Sequence, residues 1–129
     1  MPTTAVESAG APRPIGPYSP GVLVAAPSRF LFCSGQTPLD PATGQLVQGG
    51  IAAQTERVLD NLAAVLASAG LGFAHVVKTT VFLTDMADFD AMNEVYGRRF
   101  SSVRPARSTI QVAGLPRGAS VEIELVAAG

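Results

Sequence analysis

The sequence predicts a single α+β domain in which two helices pack on one face of a β-sheet. The 129 residues are 47% hydrophobic and 15% charged, a size and composition that suit one core. Short β-branched and apolar runs alternate with two stretches of helical periodicity, which gives the order ββ-α-β-α-ββ. Neither an internal repeat nor a linker divides the chain. We therefore expect both helices on the same side of the sheet, with its other face wet or covered by another subunit.

The first two predicted strands are short apolar runs near the amino terminus. They cover residues 22–24 and 30–35, and Ala26-Pro27-Ser28 between them indicates a hairpin. Residues 1–14 are rich in Ala, Ser and Thr and contain three prolines. We expect them to form a flexible arm, followed by one domain over residues 15–129.

The first helix is predicted from about Ile51 to Ala69. Gly70 follows at the position where a helix commonly ends in a left-handed residue. The preceding segment, residues 37–44, is dense in turn formers and is predicted as a loop. Apolar residues spaced by three or four positions define the buried face of the helix: Ile51, Val58, Leu59, Leu62 and Leu66.

A second helix is predicted after residue 85, and either Asp85 or Asp88 is a suitable N-cap. Arg98 and Arg99 lie at its carboxyl end, where the helix dipole favours positive charge. Its apolar face consists of Phe89, Met92, Tyr96 and Phe100.

The remaining strands are predicted near residues 76–84, 107–113 and 121–127, where β-branched and apolar residues recur. Gly114-Leu115-Pro116-Arg117-Gly118 separates the last two.

Composition excludes several classes of function. A net charge of -1 with a single lysine, Lys78, disfavours nucleic-acid binding, which needs several cationic groups. One cysteine, Cys33, and one histidine, His75, give neither an internal disulfide nor a metal site. No apolar run approaches the roughly 18 residues that cross a bilayer. Residues 1–14 lack the order of a signal peptide, so a cytoplasmic location is expected.

Five segments stand out by their order: Ile15-Gly16-Pro17-Tyr18-Ser19, Ser34-Gly35-Gln36, Val77-Lys78-Thr79-Thr80-Val81-Phe82, Pro105-Ala106-Arg107-Ser108 and Val121-Glu122-Ile123-Glu124. Together they resemble the RidA family, also called YjgF or UK114. The resemblance lies in their order and spacing and spans nearly all of the chain after the arm. It implies a chorismate-mutase-like fold and a homotrimer with sites in clefts between subunits. It also implies cofactor-free hydrolysis of 2-iminopropanoate and 2-iminobutanoate to 2-oxo acids and ammonia.

The resemblance implies three catalytic residues. Arg107 would bind the substrate carboxylate through its planar fork, although a strand-end arginine also pairs with surface acids. Glu122 would position a water and act as general base. Strand alternation places Glu124 on the same face, where we expect it to be only solvated. Tyr18 would be the pocket aromatic, and its alternative role is that of a core tyrosine.

Three further residues are implied as substrate-binding. Gly35 would let the backbone approach the imine nitrogen, and a turn requirement explains a glycine there equally well. Thr109 shares a strand face with Arg107 and stands where many relatives have cysteine. Asn93 would hydrogen-bond the site or lie on a polar helix face. The segment from Gly97 to Arg104 is a few residues shorter than in archetypal members.

The strand directions in the family's sheet imply that the site is shared between subunits. Arg107 and Glu122 begin successive strands that run in opposite directions, as in a simple hairpin. Six residues of about 3.3 Å each then separate them by about 20 Å, too far for one small imino acid to touch both within a single subunit.

Two other functions remain open at this point. One is an endoribonuclease, an activity reported for relatives. The sequence disfavours this function, because it predicts neither a basic groove nor a histidine pair. Its only cationic cluster consists of Arg98, Arg99, Arg104 and Arg107. The other is a ligand-binding or chaperone-like trimer, or a pathway-specific member with a different substrate.

Overall fold

The computed structural model describes residues 3–129, which form two sheets and two α-helices. No helix in this range combines the length and hydropathy needed to cross a bilayer. Single 3-10 turns lie at Phe73–His75, Met86–Asp88 and Pro116–Gly118. The elements are β1 (Thr3–Val6), β2 (Gly21–Val24), β3 (Phe30–Gln36), α1 (Ile51–Ser68), β4 (Val76–Leu83), α2 (Phe89–Arg99), β5 (Ala106–Gln111) and β6 (Val121–Ala128).

The main sheet has the strand order β3-β6-β4-β5. Strands β4 and β5 are parallel, and the other two pairs are antiparallel. Burial alternates regularly over residues 79–83 of β4 and 121–125 of β6, where Val81, Leu83, Val121 and Ile123 are fully buried against the helices. The residues between them, Phe82 among them, face the other side. The predicted α+β fold, a mixed sheet with both helices on one face, is confirmed.

Helix α1 covers the core as predicted. Its residues Val58, Leu59, Leu62 and Leu66 have no solvent exposure. The helix ends in a Schellman motif: the Gly70 amide donates to the Ala67 carbonyl and the Leu71 amide to the Leu66 carbonyl, with Gly70 at φ +73°.

Helix α2 is fastened to α1 by ion pairs. The Arg99 guanidinium lies 2.8 Å from a carboxylate oxygen of Glu56 and 2.9 Å from one of Asp60, so Arg99 does more than complement the helix dipole. Of the two candidate caps, the Asp85 carboxylate accepts a hydrogen bond from the Ala87 amide and caps the short turn before α2. The Asp88 side chain makes no capping bond.

The amino-terminal region differs from the prediction in two ways. Strand β1 lies within the predicted flexible arm and pairs with β2; the domain boundary at residue 15 stays a prediction. The predicted β2–β3 hairpin is wrong, because β3 pairs with β6 instead. That pairing places Cys33 opposite Leu125 and buries both against α1. The four-residue β2 offers no comparable apolar face, so the burial of apolar side chains, rather than closeness along the chain, decides which strand pairs with β3.

Candidate active site

Arg107 lies on β5 and points toward the helix side of the sheet. It pairs with Thr79 of β4, which is fully buried. The Arg107 Nη1 donates a 2.7 Å hydrogen bond to Asn93 Oδ1. Phe89, Asn93 and Tyr96 are spaced by four and three residues and therefore share one face of α2. This face brings two aromatic rings and one amide to the guanidinium.

The Arg107 guanidinium is surrounded by ring faces and has no acidic partner. Its Cζ lies 4.8 Å from the ring centroid of Tyr96, 5.2 Å from that of Tyr18 and 5.6 Å from that of Phe89. None of the ion pairs among residues 3–129 includes Arg107. Burial lowers the pKa of Arg107, and the two tyrosines oppose this shift, yet arginine stays charged at any physiological pH. The result is a half-buried, uncompensated positive charge.

The segment before β2 closes over this charge. A Cβ on Gly16 would lie 3.0 Å from Arg107 Nη2 and 3.3 Å from Asn93 Nδ2, so any other residue here would require these side chains to shift by a few tenths of an ångström. The Tyr18 hydroxyl accepts a hydrogen bond from the Ile15 amide at 3.3 Å. This contact holds the Tyr18 ring beside Arg107 rather than in the core.

Thr109 follows Arg107 by two residues and faces the same side of β5. Its hydroxyl oxygen is buried and has no hydrogen-bond partner in the described part of the chain. Buried hydroxyls are normally paired, because leaving one unpaired costs about 1–3 kcal/mol. A polar group of a bound molecule would satisfy it. We call Tyr18, Asn93, Arg107 and Thr109 the arginine pocket.

Glu122 lies on the opposite face of the sheet. It stands between Val121 and Ile123, which are fully buried against the helices, so its side chain projects from the other side. There it packs against Gly35 of β3: a Cβ on Gly35 would lie 2.8 Å from the Glu122 Cδ. Strand β3 carries a bulge between Cys33 and Gln36. We call Gly35 and Glu122 the glutamate site.

The structure therefore divides the predicted site residues into two groups. Within one subunit the groups cannot act on one small molecule, because they lie on opposite faces of the sheet. The predicted separation of about 20 Å between Arg107 and Glu122 is corrected by the structure, because their strands β5 and β6 are not neighbours in a hairpin. Strand β4 lies between β5 and β6, and its residues Thr79 and Phe82 pair with Arg107 and Glu122. Three residues along the strand and two strand spacings give about 14 Å between the Cα atoms.

Three residues of the arginine pocket's surroundings were not predicted as functional. Phe89 and Tyr96 were assigned only to an apolar helix face, and Gly16 only to a family segment. The polar Asn93 between two aromatic residues of one face was a signal that this face meets a charged group. Glu124, predicted to be solvated, is exposed.

Comparisons with known proteins agree on one family. Residues 8–129 match the family described as endoribonuclease L-PSP. The chain is 56% identical to protein DfrA of Myxococcus xanthus, covering 98% of this chain and 96% of that protein. It is 48% identical to the human 2-iminobutanoate/2-iminopropanoate deaminase, covering 95% and 87%. The crystal structure of RidA from an Antarctic Psychrobacter is 39% identical and superposes with a TM-score of 0.75, covering 98% and 99%.

Proposed function

The chain belongs to the endoribonuclease L-PSP family, which is also the RidA family, and on that premise we propose that it hydrolyses 2-imino acids to 2-oxo acids and ammonia. The observation that carries this proposal is the Arg107 guanidinium, half-buried without an acidic partner. An anionic ligand of the size of a carboxylate would neutralise this charge. The similar human protein is named a deaminase of 2-iminobutanoate and 2-iminopropanoate, which are small carboxylates of this kind.

In the proposed complex, Arg107 binds the substrate carboxylate through two in-plane N–H donors. Asn93 accepts from Nη1, which leaves donors of both terminal nitrogens and of Nε for the ligand. The unpaired Thr109 hydroxyl donates to the ligand, and the Tyr18 ring packs against its side chain. A planar, bidentate contact fixes the orientation of the imine as well as its position.

Glu122 carries the proton transfers. Its carboxylate accepts a proton from a water whose oxygen adds to the imine carbon, and then donates this proton to the imine nitrogen, so that a neutral carbinolamine forms. The resulting carbinolamine collapses to a C=O bond. Glu122 accepts the carbinolamine hydroxyl proton as the C=O bond forms and donates it to the nitrogen as the C–N bond breaks, and ammonia leaves. The backbone at Gly35, next to the carboxylate, contacts the nitrogen.

Both groups reach one substrate only if neighbouring subunits contribute them. Arg107 and Glu122 lie on opposite sheet faces, so the arginine pocket of one subunit must meet the glutamate site of another. The sheet face that carries Glu122 also exposes large apolar side chains: Phe30 is 56% exposed, Phe32 75% and Ile110 44%. Exposed apolar area of this kind favours association, and a homotrimer closes such a heterologous contact.

The geometry offers less to the ribonuclease alternative. Arg98 pairs with Glu56 and Glu94, and Arg99 with Glu56 and Asp60. Two of the four clustered arginines are thus already neutralised by acidic partners. A phosphate backbone needs several free cations on one surface.

The test couples a threonine dehydratase to this protein and follows release of 2-oxobutanoate above the rate in buffer. We expect Arg107→Ala and Arg107→Lys both to lower kcat/KM by about 10- to 150-fold, because lysine cannot reproduce the fork. Arg104→Ala is the matched control and keeps wild-type activity, since the Arg104 side chain is exposed. An Arg107→Ala enzyme as active as the wild type would overturn the assignment, and a wild-type protein without activity would overturn the function.

A further inference from the structure

We propose that Phe89 and Tyr96 are positioning residues, whose ring faces hold the Arg107 guanidinium in its ligand-binding orientation without neutralising its charge. This inference rests on the proposed function for the identity of the ligand, a small carboxylate. The arrangement itself is a property of the folded chain. Three aromatic faces lie within 5.6 Å of the Arg107 Cζ, while the closest polar partner is the neutral amide of Asn93.

The choice of aromatic rings instead of a carboxylate has a chemical consequence. A guanidinium donates its hydrogen bonds in its own plane, and aromatic faces attract it from above and below that plane. An aspartate or glutamate partner would occupy the in-plane donors and compete with the substrate. The rings stabilise the cation and leave those donors free, so the pocket keeps its selectivity for anions.

The Tyr96 ring is held in place by two contacts, one with Thr79 and one with Phe100. It is fully buried, and its hydroxyl lies 2.7 Å from the Thr79 hydroxyl. Thr79 pairs with Arg107 across β4 and β5, so the strand register that places the arginine also places the ring beside it. The ring also stacks on Phe100, with centroids 4.5 Å apart. The Tyr96 ring is therefore a rigid support rather than a flexible cover.

Phe89 supports the guanidinium from the start of α2. It is the first residue of the helix, directly after the short turn capped by Asp85. Its ring is only partly buried, so the core tolerates its replacement better than that of Tyr96. Phe89 is accordingly the position at which the proposal is tested without disrupting the fold.

The experiment compares three variants. Phe89→Leu removes an aromatic face beside Arg107, and Tyr96→Phe keeps the ring while removing the hydroxyl. Phe73→Leu is the matched control, because Phe73 makes the same type of contact with a different arginine, Arg99, also at 5.6 Å. The coupled assay gives KM and kcat for each, and titration with pyruvate, a stable 2-oxo acid with the carbon skeleton of 2-iminopropanoate, gives the affinity for a small carboxylate directly.

We expect Phe89→Leu to raise KM and the pyruvate dissociation constant about 2- to 30-fold, with a much smaller effect on kcat. Phe73→Leu should bind pyruvate like the wild type, whereas Tyr96→Phe, whose ring is no longer held by the Thr79 hydroxyl, should weaken pyruvate binding less than Phe89→Leu does. NMR of the arginine side chains should show slow rotation of the Arg107 guanidinium in the wild type and faster rotation in Phe89→Leu. Phe89→Met replaces Phe89→Leu if the latter does not fold.

Unchanged pyruvate affinity and Arg107 dynamics in the position-89 variant would overturn the proposal. An equal loss in Phe73→Leu would also overturn it, since that result indicates a general effect on the fold. The NMR measurement does not depend on turnover. If the wild type hydrolyses no imine and Arg107 still loosens in Phe89→Leu, the proposed function fails while the positioning role stands.

Discussion

Replacing Gly35 with alanine should lower the activity of this protein with little change in its stability. A Cβ at this position would lie 2.8 Å from the Cδ and 3.0 Å from the Cγ of Glu122, and closer still to the carboxylate oxygen Oε2. Ordinary contacts begin at about 3.4 Å. The atoms in the way are the end of a flexible side chain, so the carboxylate moves and the backbone stays.

The two effects have different magnitudes. Gly35 does not adopt a left-handed conformation, so alanine costs no backbone strain, and the loss of freedom in the unfolded chain stabilises the fold by up to about 1 kcal/mol. This gain offsets the cost of rotating Glu122, so Tm changes little. The carboxylate, however, moves by roughly 1 Å, and a misplacement of this size lowers a catalytic rate about 100-fold.

The assay measures kcat by the dehydratase-coupled method and Tm by circular dichroism, with Gly114→Ala as the control. Gly114 has open space where its Cβ would lie and is exposed, so its variant keeps both values. The reasoning is refuted if Gly35→Ala retains the wild-type kcat. A fall in Tm large enough to account for the lost activity refutes it as well.

Three other outcomes follow from the same structure. Burial raises the pKa of Tyr96 to about 12, above its unfolded value near 10. The contribution of Tyr96 to stability is therefore complete below pH 10 and is lost as the pH rises toward 12. Tyr96→Phe should flatten the alkaline part of a plot of unfolding free energy, measured with denaturant, against pH, and identical alkaline parts in both proteins would contradict this. Leu62→Ala should lower the free energy of unfolding by about 2–5 kcal/mol, because Leu62 is fully buried. Val65 is 36% exposed, so Val65→Ala should lower the free energy of unfolding by less than about 1 kcal/mol. Equal losses in the two variants would contradict this position of the core. Asn93→Asp should raise KM at least about 10-fold, because a carboxylate 2.7 Å from the guanidinium would compete with the substrate, and an unchanged KM would show that the Asn93 contact does not bear on binding.

The sequence was sufficient for the parts of the fold that local patterns determine. Helix α1 has a clear apolar period and a glycine at its end, and it begins at the predicted Ile51. The alternation of β6 placed Glu122 and Glu124 on one face, opposite the buried residues, as the structure has them. These features depend on the period of buried positions along one element.

Strand pairing was harder to predict, because it depends on which apolar faces match. The insertion of β4 between β5 and β6 is a long-range choice that proximity along the chain does not reveal. The same holds for β3, which pairs with the last strand rather than with its neighbour β2. Family resemblance named Arg107, Glu122 and Tyr18, but the aromatic faces of Phe89 and Tyr96 became visible only when α2 was placed over β5.

The most direct test of a site shared between subunits mixes two variants that each have little activity alone. Arg107→Ala and Glu122→Gln subunits are unfolded together in equal amounts, refolded, and assayed beside wild-type protein treated identically. If each site takes its arginine from one subunit and its glutamate from the next, about one quarter of the sites in the mixture are intact. The account predicts about one quarter of the wild-type rate; a mixture no more active than either variant alone would contradict it.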